Sequence, residues 1–155
     1  MLRAQRYDEI LKVESKYCHL DIFNDDPVED VRVLYAFGCA HDVNSQDEIC
    51  CMERAIDYFE RAKERIDANA HHLRKTPNLK TETGMNLVGL YSEGRDMDKA
   101  ISSHRWLLEK CNRHEVTANH VINISHNFNQ FKRFEYTIEV LEGSMDMMET
   151  VEDEL

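Results

Sequence analysis

An internal repeat is the feature of this 155-residue chain that most restricts its fold. In residues 86–101 and again in residues 123–138, an Asn precedes an aliphatic residue. An aromatic residue follows five positions after the Asn, and a small residue nine positions after the aromatic one. These positions are Asn86, Leu87, Tyr91 and Ala100 in the first stretch, and Asn123, Ile124, Phe128 and Thr137 in the second. The period of 37 residues lies in the range of helical units that stack on one another.

The composition favours helices over sheets. The chain has only 5 Gly and 2 Pro, whereas sheet-rich folds need many tight turns built from Gly, Asn or Pro. Asp26 followed by Pro27 is a strong helix start, with Asp26 as N-cap and Pro27 at the first helical position. The sequence therefore predicts an all-α fold, with seven helices at residues 2–18, 28–42, 46–68, 82–93, 96–112, 116–129 and 133–150.

The repeated pattern resembles the tetratricopeptide repeat (TPR), in which small residues let two antiparallel helices approach and aromatic residues fill the gaps beside them. In the last unit the TPR positions fall on Val121, Ile124, Ser125, Phe128, Phe134, Thr137, Leu141 and Ser144. In the middle unit they fall on Leu87, Val88, Tyr91, Met97 and Ala100, while His104 and Leu107 depart from the pattern. In the first unit they fall on Phe37, Gly38, Ala55, Phe59 and Ala62. The resemblance implies a right-handed superhelical solenoid of antiparallel helix hairpins.

Three regions follow from this resemblance. Residues 25–150 form the TPR-like domain, with units at about 27–68, 81–112 and 116–150, and residues 151–155 form an acidic tail. Residues 42–48 are expected to be an enlarged loop and residues 67–80 an irregular connection. Residues 1–24 resemble a second repeat helix without its first helix, or form a generic amphipathic helix. We expect this helix to pack on the hairpin at residues 28–68, with some tendency to form a dimer.

Charge and hydropathy exclude several classes of partner. A net charge of −11 opposes binding to nucleic acid and to anionic membranes. No stretch reaches the roughly 20 apolar residues of a membrane span, and the first residues lack the apolar core of a secretory signal. We therefore expect a cytoplasmic protein, with a nuclear location open. Its five Cys are expected to be reduced and mostly buried.

Catalytic and metal-binding patterns are missing from the sequence. The glycines never form a phosphate-binding loop. The densest set of metal-ligand types is His104, Cys111, His114, His120 and His126, and it lacks the second tight pair that zinc sites prefer. The sequence thus predicts no enzyme, no cofactor and no metal site.

Polar side chains on the first helix of each repeat are the candidate binding residues. In TPR proteins the position of Asn86 and Asn123 faces the concave groove, where an Asn amide can pair with the backbone of an extended peptide. The full candidate set is Glu82, Asn86, Asn119, Asn123, His126, Asn129 and Gln130. A merely solvated polar face is the alternative. The cations of a carboxylate-binding TPR clamp are missing, since Glu82, Met85, Asn119 and Ile122 occupy their places.

The sequence therefore predicts a protein–protein interaction module that binds an extended peptide or a helix of a partner in its concave groove. With a net charge of −11, a neutral or basic segment is favoured. The alternative is a structural subunit of a larger TPR scaffold that acts through its ends and its convex face. A homodimer or a larger complex stays open.

Overall fold

A computed structural model describes residues 7, 9–14, 26–44, 49–75, 77–110 and 118–142 of the chain. Five helices have defined bounds: α1 (Pro27–Asn44), α2 (Ile49–Ala68), α3 (Pro77–Glu93), α4 (Met97–Lys110) and α5 (Ala118–Gln130). Residues 9–14 and 134–142 are also helical, and His72–Lys75 forms a short 3-10 turn. All regular structure within these ranges is helical, which confirms the predicted all-α class.

The described residues divide into two compact units, residues 1–83 and residues 84–155, with the boundary inside α3. In the first unit, α1 and α2 pack against each other as a hairpin. Asp26 caps α1 as predicted, because its Oδ1 accepts hydrogen bonds from the backbone N–H groups of Val28 (3.0 Å) and Glu29 (3.3 Å). A Cβ on Gly38 would lie 2.8 Å from the ring of Phe59, so the helices cross closely at this position.

The N-terminal helical segment contacts this first hairpin through Glu14. The Glu14 carboxylate lies 2.9 Å from Nε2 of His41 and accepts a 2.5 Å hydrogen bond from the Tyr58 hydroxyl. His41 is buried and its ring stacks on that of Tyr58. Burial raises the pKa of Glu14, but the bonds from Tyr58 and His41 outweigh it and hold the pKa below its usual value. The contact agrees with the intramolecular packing predicted for this helix.

The second unit contains residues 84–93 of α3 and the whole of α4, which are joined by a tight turn. A Cβ on Gly84 would lie 2.9 Å from Cδ1 of Leu107, so the two helices approach closely where α3 lacks a side chain. Ala100 is fully buried, as its place in the repeat predicts. The N–H of Asp96 donates to the Tyr91 carbonyl and that of Arg95 to the Ser92 carbonyl, and Arg95 has a left-handed φ of 62°. This is the Schellman arrangement.

The same turn recurs 37 residues later. The N–H of Arg133 donates to the Phe128 carbonyl and that of Lys132 to the Asn129 carbonyl, and Lys132 has a φ of 57°. The repeat found in the sequence is thus present in the backbone as well. In both turns the left-handed position, which usually carries Gly, is occupied by a basic residue, Arg95 in the first turn and Lys132 in the second.

Several predicted boundaries were wrong. Helix α1 continues through Asn44, so the expected loop at residues 42–48 does not begin at Asp42. Helix α3 begins at Pro77, five residues before the predicted start at residue 82, because Pro fits the first helical turn without losing a hydrogen bond. The region predicted as an irregular connection therefore includes a 3-10 turn and the start of a helix. The predicted tail at residues 151–155 and Ser144 lie outside the described residues.

The predicted core of the last helix was also wrong in part. Phe134 and Leu141, assigned to buried TPR positions, are 55% and 43% exposed. Tyr136 and Val140 are buried instead. Tyr136 packs edge-on against Phe128, with ring centroids 4.8 Å apart, and its hydroxyl donates to the Ile101 carbonyl at 3.4 Å. The 134–142 helix is therefore held by a different face from the one predicted.

Candidate peptide-binding surface

Helix α5 separates its apolar and polar residues onto two opposite faces. At 100° per residue, the apolar face packs inward and consists of Val121, Ile124 and Phe128, with Ser125 beside them. The opposite face covers about 120° of the helix and is exposed. It carries Asn119, Ile122, Asn123, His126, Asn129 and Gln130. Five of the seven predicted binding residues therefore lie together on one exposed surface, which we call the α5 amide face.

The α5 amide face carries no formal charge. None of the 13 residues of α5 is Asp, Glu, Lys or Arg, although charged residues make up 32% of the chain. A helix face that only meets water usually carries charged residues. Ile122 adds an apolar side chain that is 61% exposed between these amides. The combination favours contact with another molecule over simple solvation.

The imidazole of His126 is oriented by its neighbour on the next turn. Nε2 of Gln130 lies 2.7 Å from Nε2 of His126. Because an amide nitrogen only donates, the His126 Nε2 must accept, which places the ring proton on Nδ1. Within the described residues, the side chains of Asn119, Asn123 and Asn129 have no hydrogen-bond partner. Each of these amides can therefore offer both a donor and an acceptor to a peptide unit.

The two remaining predicted residues lie on α3 and differ from this group. Asn86 is half-buried on α3 and already has an interaction partner. Glu82 is exposed and belongs to the first compact unit, where its carboxylate accepts a 3.4 Å hydrogen bond from the Tyr35 hydroxyl. Neither side chain is free in the way that the amides of α5 are.

Sequence reasoning missed two parts of the surface. It named Ile122 only as a position without a clamp cation, and it did not register that α5 lacks charge altogether. The second signal could have been found by counting charged residues helix by helix. An uncharged helix is conspicuous in a chain with 19 basic and 30 acidic residues.

In the part of the chain that the structure describes, the other His and Cys side chains do not gather into a site. His104 is buried, and its Nδ1 lies 3.2 Å from the Tyr136 hydroxyl, whereas His126 is exposed on α5. Cys39 and Cys51 are half-buried rather than buried, and burial raises the pKa of the Cys39 thiol. Among the described residues, no group of three or more His, Cys, Asp or Glu is placed to hold a metal ion. Cys111 and His114 lie outside them.

Comparisons with protein-family models, curated proteins and solved structures give no match for this chain. In the part of the chain that the structure describes, no helix has the length and apolar character needed to cross a bilayer. The site is therefore interpreted from its own geometry and chemistry.

Proposed function

We propose that this protein is a non-enzymatic interaction module of stacked helical hairpins, similar to a TPR solenoid, that acts in the cytoplasm or nucleus. Its α5 amide face binds an extended peptide segment of a partner protein. The observation that carries the proposal is the exposed, uncharged, amide-rich face of α5. Amide side chains there meet the donors and acceptors of a peptide backbone without requiring a particular charge on the peptide.

The repeat supports the hairpin architecture in this proposal. The turns after α3 and α5 have the same hydrogen bonds 37 residues apart. The two hairpins also touch through α4, since His104 of α4 lies edge-on to Phe128 of α5 and to Tyr136 of the following helix. Stacked hairpins of this kind leave one helix of each pair facing a common surface, which suits recognition of an extended chain.

A peptide selection tests the proposal. Random peptides displayed on phage would be selected for binding to the full chain. The affinities of the selected peptides would then be measured by calorimetry. We expect Asn123→Ala to weaken binding by about 5-fold to 150-fold, which corresponds to about 1–3 kcal/mol for a stranded polar partner. Asn123 is exposed, so the thermal stability of the variant should equal that of the parent.

Asn78→Ala is the matched control, because Asn78 is an exposed Asn near the start of α3. It should leave the peptide affinities unchanged. Asn129→Ala should behave like Asn123→Ala, because both side chains lie on the α5 amide face. Peptides that bind the Asn123, Asn129 and Asn78 variants equally well would place recognition elsewhere and refute the proposal.

A further inference from the structure

A row of large apolar side chains is exposed along the 134–142 helix. Phe134, Ile138 and Leu141 are spaced by four and three residues, so they form one stripe at helical geometry. Ile138 is 53% exposed, and the other two are exposed to a similar extent. A stripe of this kind on a solvent-facing helix marks an interaction surface. We call these three residues the end stripe.

The end stripe is fixed in its outward orientation by the opposite face of the same helix. Tyr136 and Val140 lie about 200° and 240° around the helix from Phe134 and are buried. Tyr136 is held by Phe128, by His104 and by the Ile101 carbonyl. Turning the stripe inward would break these contacts, so it faces outward as a consequence of how the helix is anchored.

The internal repeat indicates what would cover such a stripe. Phe134, Ile138 and Leu141 correspond, 37 residues earlier, to Met97, Ile101 and His104 on α4. Met97 and His104 are buried and Ile101 is half-buried. His104 lies against Phe128 of α5, so the next hairpin covers that part of α4. The equivalent occupant of the end stripe is therefore a helix with its own apolar face.

The charges beside the end stripe select the character of that helix. Glu135, Glu139 and Glu142 are exposed and form a parallel row about 100° around the helix. One of them, Glu139, forms an ion pair with Arg105, whose Nη2 lies 3.5 Å from the carboxylate. In an antiparallel pair of two copies, this row would face the same row of the other copy, which places carboxylates opposite carboxylates. A partner helix with Lys or Arg along that flank is complementary instead.

A cleft beside the stripe provides an anchor point. Its volume is about 430 Å³, and Ile101, Phe134, Tyr136 and Glu139 contribute to its walls. Clefts of this size accept one large side chain of a partner, and such anchored side chains dominate helix-mediated interfaces. Lys132 and Arg133 line this cleft together with Glu135 and Glu139, so its charges are mixed, and the preference for basic flanks rests on the Glu row alone.

We propose that the end stripe binds an amphipathic helix of another protein, with apolar residues spaced by three and four and with Lys or Arg on the flank that meets the Glu row. This surface is separate from the α5 amide face and does not depend on it. The interaction would extend the stack of hairpins across two molecules, in the way that helix α5 covers α4 within this one.

The test uses a display library of amphipathic helical peptides with a fixed apolar stripe and randomised flanks, selected on the full chain. We expect Lys and Arg to be enriched on one flank of the winners. Ile138→Asn should weaken their binding by about tenfold or more, as for a central anchor contact. Val43→Asn is the matched control: it alters another exposed aliphatic side chain, on α1, and should leave these affinities unchanged.

Circular dichroism on Ile138→Asn should show the same helix content as the parent, because the Ile138 side chain is already half exposed to solvent. Winners with acidic flanks, or winners that bind Ile138→Asn as well as the parent, would overturn the proposal. So would sedimentation equilibrium showing a dimer that Ile138→Asn dissociates, since the occupant would then be a second copy. The double variant Met145→Asp, Met148→Asp tests whether the chain's own C-terminal residues compete with the peptide for the stripe. If this variant binds the selected peptides more tightly than the parent, those residues occupy the stripe and the proposal is overturned.

Discussion

The buried His104 should make the stability of this protein fall steeply in mild acid. Its side chain is 2% exposed and packs edge-on against the rings of Phe128 and Tyr136. Because the Tyr136 hydroxyl donates to the Ile101 carbonyl, its oxygen accepts from Nδ1–H of a neutral imidazole. A second ring proton would place a positive charge on this buried ring. Burial, aided by the charge of Arg105, lowers the pKa of His104 from 6.5 to about 4.

The magnitude follows from proton linkage. In the unfolded chain His104 takes up a proton near pH 6.5, whereas in the folded chain it does so only near pH 4. Between these values the unfolded state binds the extra proton, so the free energy of unfolding decreases as the pH falls. The full loss is about 3 kcal/mol, and about 2 kcal/mol of it should have occurred by about pH 5. Above pH 7 the contribution of His104 is constant.

Urea denaturation at pH 7 and at about pH 5 measures this loss, followed by the fluorescence of Trp106, the single Trp of the chain. In His104→Phe the ring packing is kept and the proton site is removed. This variant should therefore lose about 2 kcal/mol less than the parent between the two pH values. His71→Phe changes an exposed His and should retain the parental loss. An equal loss in His104→Phe and in the parent would refute the reasoning.

Two further predictions concern packing. Gly84→Ala should destabilise the α3–α4 hairpin by about 1–3 kcal/mol, because the added Cβ would lie 2.9 Å from Leu107. Gly89→Ala should instead stabilise the chain by about 0.5–1 kcal/mol, because its added Cβ meets no atom within 4 Å. Equal midpoints in urea for the two variants would contradict the crossing point. Glu14→Ala should remove the hydrogen bonds that this carboxylate makes with the Tyr58 hydroxyl and the buried His41. Hydrogen exchange at residues 9–14 should then accelerate relative to α2, and unchanged exchange would show that Glu14 does not hold this segment.

The hairpins could be predicted because their determinants are local. The Asp26 cap and the small residue at Ala100 act within a few turns, and the spacing from Tyr91 to Ala100 and from Phe128 to Thr137 sets the length of each turn. Such signals are readable from one sequence, because each requires a particular residue type at a particular offset. The backbone confirms the 37-residue register that they imply.

The start of α3 could not be predicted in the same way. The segment has no steady apolar period, because Lys80, Thr81 and Thr83 are polar residues, yet all three are buried. Burial of this kind depends on neighbouring elements, not on the sequence of the segment. A hydroxyl can enter a helical core by bonding to its own backbone, as Ser92 does to the Val88 carbonyl. Apolar periodicity therefore fails as a guide at this helix.

The register of the last helix shows a related limit. The resemblance to the TPR pattern predicts Phe134 and Leu141 in the core, yet the structure exposes them and buries Tyr136 and Val140. A repeat pattern states which faces can be covered, but coverage requires a neighbour. In α4 the following hairpin is that neighbour, whereas among the described residues none follows the 134–142 helix. The assignment of Phe134 and Leu141 to buried positions was therefore wrong for this helix.

The two proposed surfaces lie on one hairpin and differ in the forces available to a partner. The α5 amide face has no charged residue, so peptide binding there should vary little with ionic strength. The end stripe is bordered by three Glu residues, so binding of a basic helix should weaken as salt rises and screens the carboxylates. Salt dependence thus assigns a newly found partner to one surface before any variant is made. A partner that binds the end stripe without salt dependence would mean that the Glu row does not contribute to its selection.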